Sequence, residues 1–568
     1  MSDIMNALPF EYLVENCLQD YYTKSRIFEI DKKDFFTDVN DRLKMIFNDE
    51  YLRYPLGPAA GPHTQLAQNL LAAYVTGARF FELKTVQIID GEQMQAMIEK
   101  PCIDVKNVGY NVEWSTELTV EEAAAEYIKG SVLIQAMAIE LGLSDIKDFV
   151  FNISVGYNLE GIQSKKISDF IDNLKDAKNT EIYNECMCIL RNNISRFKKL
   201  RIEDLDKITP KITNTVTLST MHGAKAEEIL DIAAHLIKNK KINTFIKCNP
   251  TLLGFENVRR ILDNLGYNDV VIRQEDFDHD LKFDMAVDIV KKLKQIGNEH
   301  GVHTGIKLTN TLPVYNSRKV LSGDSMYLSG KPLYPIAMGV AAMFAEALEG
   351  NVHISLSGGI DKNNVSTVLK TGVAPLTVST LLLKPGGYKN LKVLMEKILE
   401  EQIELGELDV KAVKYVAEEA KTDLKYKNKG NGRFLDNTLP VYDCFKVNCG
   451  ICVDVCPNRA NIKVYDDRFD APYQIVHIEN RCNECDNCHT FCTRGGFPYL
   501  KKVTVFADKD EFENSENAGI LKMKDNKFLL RNEDKKEYVY DFENSGENKN
   551  LIEKILETMV REHPYLLQ

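Results

Sequence analysis

Between about residues 50 and 400 the chain alternates between short β-branched runs and amphipathic helical stretches. The strand-like runs are RYPLGPAAG (53–61), RFFELKTV (79–86), FVFNISVGYN (149–158), NTVTLST (214–220), NTFIKCNP (243–250), HTGIKLTN (303–310), VHISLSGG (352–359) and PLTVSTLL (375–382). Helical stretches at 64–77, 225–240, 283–301 and 333–350 separate many of them. Strands that are nearly continuously apolar and alternate with helices belong to a parallel sheet covered on both faces. Eight of them predict an α/β chain built on a (β/α)8 TIM barrel, with an open doubly wound sheet as the alternative.

At 568 residues the chain exceeds one barrel. The expected division is a barrel with an N-terminal extension over 1–400, a helical segment and linker over 401–440, a cysteine-rich module over 441–505 and a small strand and helix extension over 506–568. A net charge of −12 leaves no basic surplus to displace counterions from phosphates, so no nucleic acid partner is expected. No run of 18 apolar residues occurs and the N-terminus lacks a secretory pattern. A cytoplasmic protein without a membrane span is expected.

Of thirteen cysteines, eight fall within 444–492. In a large intracellular chain, clustered cysteines point to metal and scattered ones to packing, which is the expectation for Cys17, Cys102, Cys186, Cys188 and Cys248. In a C-x2-C-x2-C-x3-C run the first three thiolates hold one [4Fe–4S] cube and the fourth reaches its neighbour. Cys482, Cys485, Cys488 and Cys492 fit this spacing, and Cys444, Cys449, Cys452 and Cys456 precede them. Crosswise sharing puts one cluster on Cys482, Cys485, Cys488 and Cys456. The other falls to Cys449, Cys452, Cys492 and, as its least secure ligand, Cys444. Two zinc sites are the alternative, but three cysteines within seven residues followed by C-x3-C-P favour a cubane in a ferredoxin-like module.

In a parallel barrel, chemistry sits where strands end. Here the ends are polar: Ala60-Gly61 after the first strand, Lys84-Thr85, Tyr157-Asn158, Ser219-Thr220 followed by His222, Lys247, Thr309-Asn310-Thr311, Ser357-Gly358-Gly359 and Ser379-Thr380. Glycines and hydroxyls after strands seven and eight suit a phosphate. Inward lysines are costly without an anion, and a flavin phosphate or a reduced flavin ring would serve.

In their order, these motifs resemble the flavin mononucleotide (FMN) domain of dihydroorotate and dihydropyrimidine dehydrogenases. GPAAGPHTQLAQN (57–69), FELKTVQI (81–88), FNISVGYNLEGI (151–162), TLSTMHG (217–223) and CVDVCPNRAN (452–461) more closely resemble the selenate reductase subunit family of the YgfK type. That resemblance implies that Ala60, Gly61, Lys84, Thr85, Lys247, Thr309 and Gly330 contact FMN, with Lys247 stabilising the reduced ring. Ser357, Gly358, Gly359, Ser379 and Thr380 would hold its phosphate. Asn158, Asn310 and Thr311 would bind a substrate amide edge. Thr220 stands where dihydropyrimidine dehydrogenases have an acid cysteine, so Thr220 or His222 would supply the proton. Family members also carry a glutamate-synthase-like NAD(P)H and FAD module. No G-x-G-x-x-G occurs here, so a partner subunit is expected to supply it, in a hetero-oligomer.

The expected activity is that of an iron–sulfur flavoprotein reducing a heterocyclic ureide, uric acid or xanthine first. An electron-transfer subunit of a selenate reductase or molybdenum hydroxylase, and a dihydropyrimidine dehydrogenase-like enzyme, are the alternatives.

Overall fold

The computed structural model describes residues 5–112, 115–219, 222–430, 449–544 and 549–567. Eight parallel strands form the central sheet: β1 (Leu56–Pro58), β2 (Phe80–Glu82), β3 (Val150–Val155), β4 (Thr215–Ser219), β5 (Asn243–Cys248), β6 (Thr304–Leu308), β7 (Ile354–Ser357) and β8 (Leu376–Val378). From β2 onward each pairs with the next, and β8 pairs with β1. The remaining seam, β1 to β2, is bridged where the Arg79 N–H donates to the Leu56 carbonyl at 2.9 Å. The sheet is thus a nearly closed barrel, as the alternation predicts. A Cβ on Gly57 would lie 1.7 Å from the Phe80 carbonyl oxygen, so this residue lets the two strands meet.

Helices Ala67–Val75, Val120–Leu141, Ala226–Lys238, Phe283–His300 and Leu333–Ala347 belong to the outer layer. The 22-residue helix Val120–Leu141 is capped by Thr119, whose hydroxyl accepts the Glu122 N–H while Glu122 accepts the Thr119 N–H. Gly142, in a left-handed conformation, ends it.

The barrel interior is polar where barrels are usually filled by branched apolar side chains. Glu82, Asn152, Thr217, Lys307, Ser355 and Thr377 are all buried, and Asn152 donates to Thr217 at 2.7 Å. Over the mouth, Ile103–Asp104, Gly109–Asn111, Leu312–Tyr315 and Ser325–Ser329 form a four-stranded antiparallel sheet that walls one side of the entrance.

Downstream, β9 (Asn461–Val464), β10 (Gln474–Ile478), β11 (Val503–Phe506), β12 (Gly519–Lys522), β13 (Phe528–Arg531) and β14 (Glu537–Tyr540) make one sheet in sequence order. The cysteine-rich residues and the C-terminal extension therefore share a sheet, and residue 505 lies inside β11. The N-terminal helix Phe10–Lys24 packs here too: Arg481 donates to the Tyr12 hydroxyl at 3.0 Å, and the Tyr565 hydroxyl donates to Asp20 at 2.7 Å. Among the described residues no helix is long and apolar enough to cross a membrane.

Candidate functional site

A cavity of about 250 Å³ opens at the C-terminal ends of the barrel strands. It collects the chemistry-bearing ends of strands that lie far apart in sequence. Ala60, Gly61, Lys84, Thr85, His222, Lys247, Thr309, Asn310, Thr311, Gly330, Ser357, Gly358, Gly359, Ser379 and Thr380 all line it. Asn158 does not. Its side chain is exposed and accepts the Gly161 N–H at 2.9 Å, capping helix Leu159–Gln163. Thr220 and Cys444 lie outside the described residues.

The floor is cationic. Burial pulls the Lys84 ammonium down to about 7, against a smaller opposing pull from Glu117. Burial likewise lowers Lys247, with Glu82 opposing. A charge held this far from water favours an anionic ligand. Thr309 adds a buried hydroxyl oxygen that has no hydrogen-bond partner among the described residues.

In the same lining, Gly358 (φ 113°) and Gly359 (φ 69°) turn the chain after β7 in conformations that side chains rarely adopt. A Cβ on Gly359 would stand 2.6 Å from the Gly330 carbonyl oxygen. The Ser329 and Thr380 hydroxyls pair at 2.8 Å beside them. Lys331 and Lys384 line the same cavity, and burial lowers Lys384 first, Lys331 second. Glycine turns, hydroxyls and two lysines fit a phosphate.

One wall is a hydrogen-bonded relay. The His222 Nδ1 lies 2.8 Å from Asp280, which also accepts from Thr251 (2.6 Å), Asn249 (3.1 Å) and the Gly223 N–H (2.8 Å). Burial raises the Asp280 carboxyl, but His222, Thr251 and Gly223 outweigh it and hold the group below its ordinary range. Asn310 donates to Asn249 at 2.6 Å, which joins its amide to the same chain of hydrogen bonds. Such a carboxylate orients an imidazole for proton transfer. Asp280 and Asn249 escape a reading of strand ends because Asp280 sits among the charges of QEDFDHD, where it looks like a solvated turn. The Lys331 and Lys384 positions lie beyond their strands.

A second cavity is lined by Cys456, Cys482, Cys485 and Cys488, the set that crosswise sharing predicts. Burial first, then the neighbouring Cys456 thiol, pushes Cys485 up to about 12. The Ala460 N–H donates to the Cys456 sulfur at 3.2 Å and the Glu484 N–H to the Cys482 sulfur at 3.3 Å. Half-buried thiols that accept backbone N–H groups suit a cluster whose charge those bonds offset. Among the described residues no three His, Cys, Asp or Glu side chains are placed to ligate one metal ion. A cubane sets its thiolates farther apart than a single ion does. Cys449 is exposed and its sulfur accepts from Thr493 at 3.8 Å, next to Cys492. Of the cysteines expected to pack, Cys17, Cys102, Cys186 and Cys248 are buried while Cys188 is exposed.

The two cavities are neighbours. Leu383 lines the barrel cavity, and its carbonyl accepts from Asn487, which lines the cysteine cavity, at 2.8 Å. Leu383, Ile103, Cys102, Cys485 and Cys488 share one apolar cluster.

A TIM barrel with a ligand-sized polar mouth defines the class, and comparison with known proteins gives the family. The chain belongs to the family described as "Oxidoreductase YgfK, N-terminal TIM-barrel domain", which matches residues 28–429. Proteins of Escherichia coli strain K12 and of Escherichia coli O157:H7, both carrying the provisional name oxidoreductase YgfK, are each 35% identical over 548 residues. The match covers 90% of this chain and 52% of theirs, so the chain spans about half the length of these relatives. Among solved structures, DHODH from Eimeria tenella in complex with ferulenol aligns with a TM-score of 0.39 and 14% identity, over 65% of this chain and 87% of that one.

Proposed function

We propose that the chain is an iron–sulfur flavoprotein that holds FMN at the barrel mouth and two [4Fe–4S] clusters on its cysteines. In this reading it reduces a cyclic ureide of the purine type, uric acid or xanthine. Electrons come through the clusters from an NAD(P)H-oxidising partner that carries FAD. The observation that supports this best is the adjacency of the two cavities across Leu383 and Asn487, one built for a phosphate and an anionic ring, the other lined by four cysteines.

Bound FMN would couple one-electron transfer from the clusters to two-electron transfer to an organic substrate. The protein's part is binding, orientation and proton supply. Gly358, Gly359, Ser379 and Thr380 would hold the phosphate, with Lys331 and Lys384 neutralising it. Lys84 and Lys247 would favour negative charge on the ring. Asn310, held by Asn249, presents both a donor and an acceptor and so suits the alternating N–H and C=O of a ureide edge. His222, held by Asp280, would deliver a proton to the substrate.

The test is anaerobic purification with its partners, identification of released cofactors, and a screen of purines and pyrimidines for reoxidation of the reduced flavin. Substrate-driven reoxidation is expected. Full cofactor loading with no turnover of any ureide would instead favour an electron-transfer subunit of a selenate reductase or molybdenum hydroxylase.

A further inference from the structure

We infer that Lys307 and Glu82, buried beneath the barrel-mouth cavity, form a charge pair that sets how strongly Lys247 attracts an anionic ring above them. The inference rests on the reading that a flavin occupies this cavity.

Strand β6 carries a lysine and strand β2 a glutamate into the centre of the barrel, each with its side chain at most 2% exposed. The Lys307 Nζ lies 3.2 Å from Glu82 and donates to Thr377 at 2.7 Å and to Ser355 at 3.1 Å. The Thr377 hydroxyl donates to the other Glu82 oxygen at 3.2 Å. A buried lysine beside a buried carboxylate is a poor way to stabilise a barrel, because desolvating both offsets much of their attraction. Apolar residues would fill the same space, so the pair invites a reason beyond packing.

The register supplies one. Lys307 stands directly beside Lys247 across the β5–β6 ladder. Glu82 is the charge that acts on both lysines. Lys247 and Thr377 line the cavity, whereas Lys307 and Glu82 do not. Glu82 alone would draw off the field of Lys247. Lys307 offsets Glu82, which leaves the positive field of Lys247 directed at the cavity. Deep in the barrel these charges are weakly screened by salt. Lys307 and Glu82 are thus positioning residues that act through Lys247, and the pair leaves the charge of that lysine uncancelled.

The test uses the full-length, flavin-loaded protein and two readouts other than turnover. These are the two-electron midpoint potential of the flavin and its affinity for sulfite, whose flavin adduct is anionic. Lys307→Met should lower the potential and weaken sulfite binding about tenfold, and tenfold is about 30 mV for a two-electron couple. Glu82→Gln should shift both the other way by a similar factor. The double variant should return close to the wild type. Opposite signs support the inference, because a purely structural pair would move both variants alike. Shifts of the same sign, or none, overturn it. If Lys307→Met fails to fold, Glu82→Gln decides alone: a raised potential supports the inference, and an unchanged or lowered one overturns it. A wild-type chain whose absorbance shows no flavin after reconstitution with FMN overturns the functional reading itself, and the inference with it, before any variant is compared.

Discussion

The two cavities are built in opposite ways. The cysteine cavity draws its sulfurs from 456–488, a short stretch of sequence. The barrel cavity draws on residues from Ala59 to Lys384, and its polar ring exists only once the strands have closed. A site made of neighbours in sequence is specified by spacing. A site made of strand ends is specified by order, and each of its residues is weak alone. The first should therefore fail all at once when a ligand is removed, the second by degrees.

The sharpest break of this contrast is a cysteine variant. Cys485→Ser is expected to remove one cluster, about four of about eight irons per chain, and Cys456→Ser the same one. Cys492→Ser should remove the other. Iron analysis and electron paramagnetic resonance of the reduced protein check this. If Cys456→Ser and Cys485→Ser deplete different signals, crosswise sharing is wrong. Flavin content should stay unchanged in all three.

Next in size are the relay variants. His222→Gln should slow substrate-driven reoxidation by about 10²-fold, the scale of one general acid. Asp280→Asn should slow it less while shifting the pH profile, because Asp280 acts through the imidazole. Rapid-mixing kinetics of the reduced enzyme measure both. Equal, pH-independent losses would make Asp280 only a loop anchor. Smaller again, Lys247→Met should weaken FMN binding about tenfold, or ~1.5 kcal/mol for one charge-assisted contact. Fluorescence titration of the cofactor-free protein reads it.

The same contrast governs what the sequence discloses. The alternation of short apolar runs and helices names the barrel because a parallel ring needs that period, and the helix at 226–238 falls inside its expected span of 225–240. Lys84, Lys247 and the Gly358-Gly359 turn are legible because lysine and double glycine are costly at strand ends unless something uses them. Asn158 looks equally promising from its place after β3. Its side chain instead accepts an N–H at the start of the next helix, and asparagine is a good residue for that too. Asp280 and Lys307 are hidden for different reasons. One lies in an acidic run like any solvated loop, and the other reads as a lone charged residue in the middle of a strand. The shared sheet β9–β14 is hidden because strand pairing across a sequence gap leaves no local period.

The smallest effect tests whether the barrel cavity awaits an anion. The folded protein holds Lys84 at about 7, against an ordinary 10.5. Between these values the unfolded chain keeps a proton that the folded one has released. The unfolded state then binds more protons, so stability of the cofactor-free protein rises with pH across that window. Lys307, held at about 8, adds a contribution of the same sign at slightly higher pH. Urea midpoints at pH 7 and pH 9 should therefore climb in the cofactor-free wild type and climb less in Lys84→Met. Loading FMN should flatten the wild-type slope, because an anion in the cavity returns the proton to Lys84. A slope that FMN leaves untouched would mean that Lys84 answers only to Glu117, and that the cationic floor is packing instead of a binding surface.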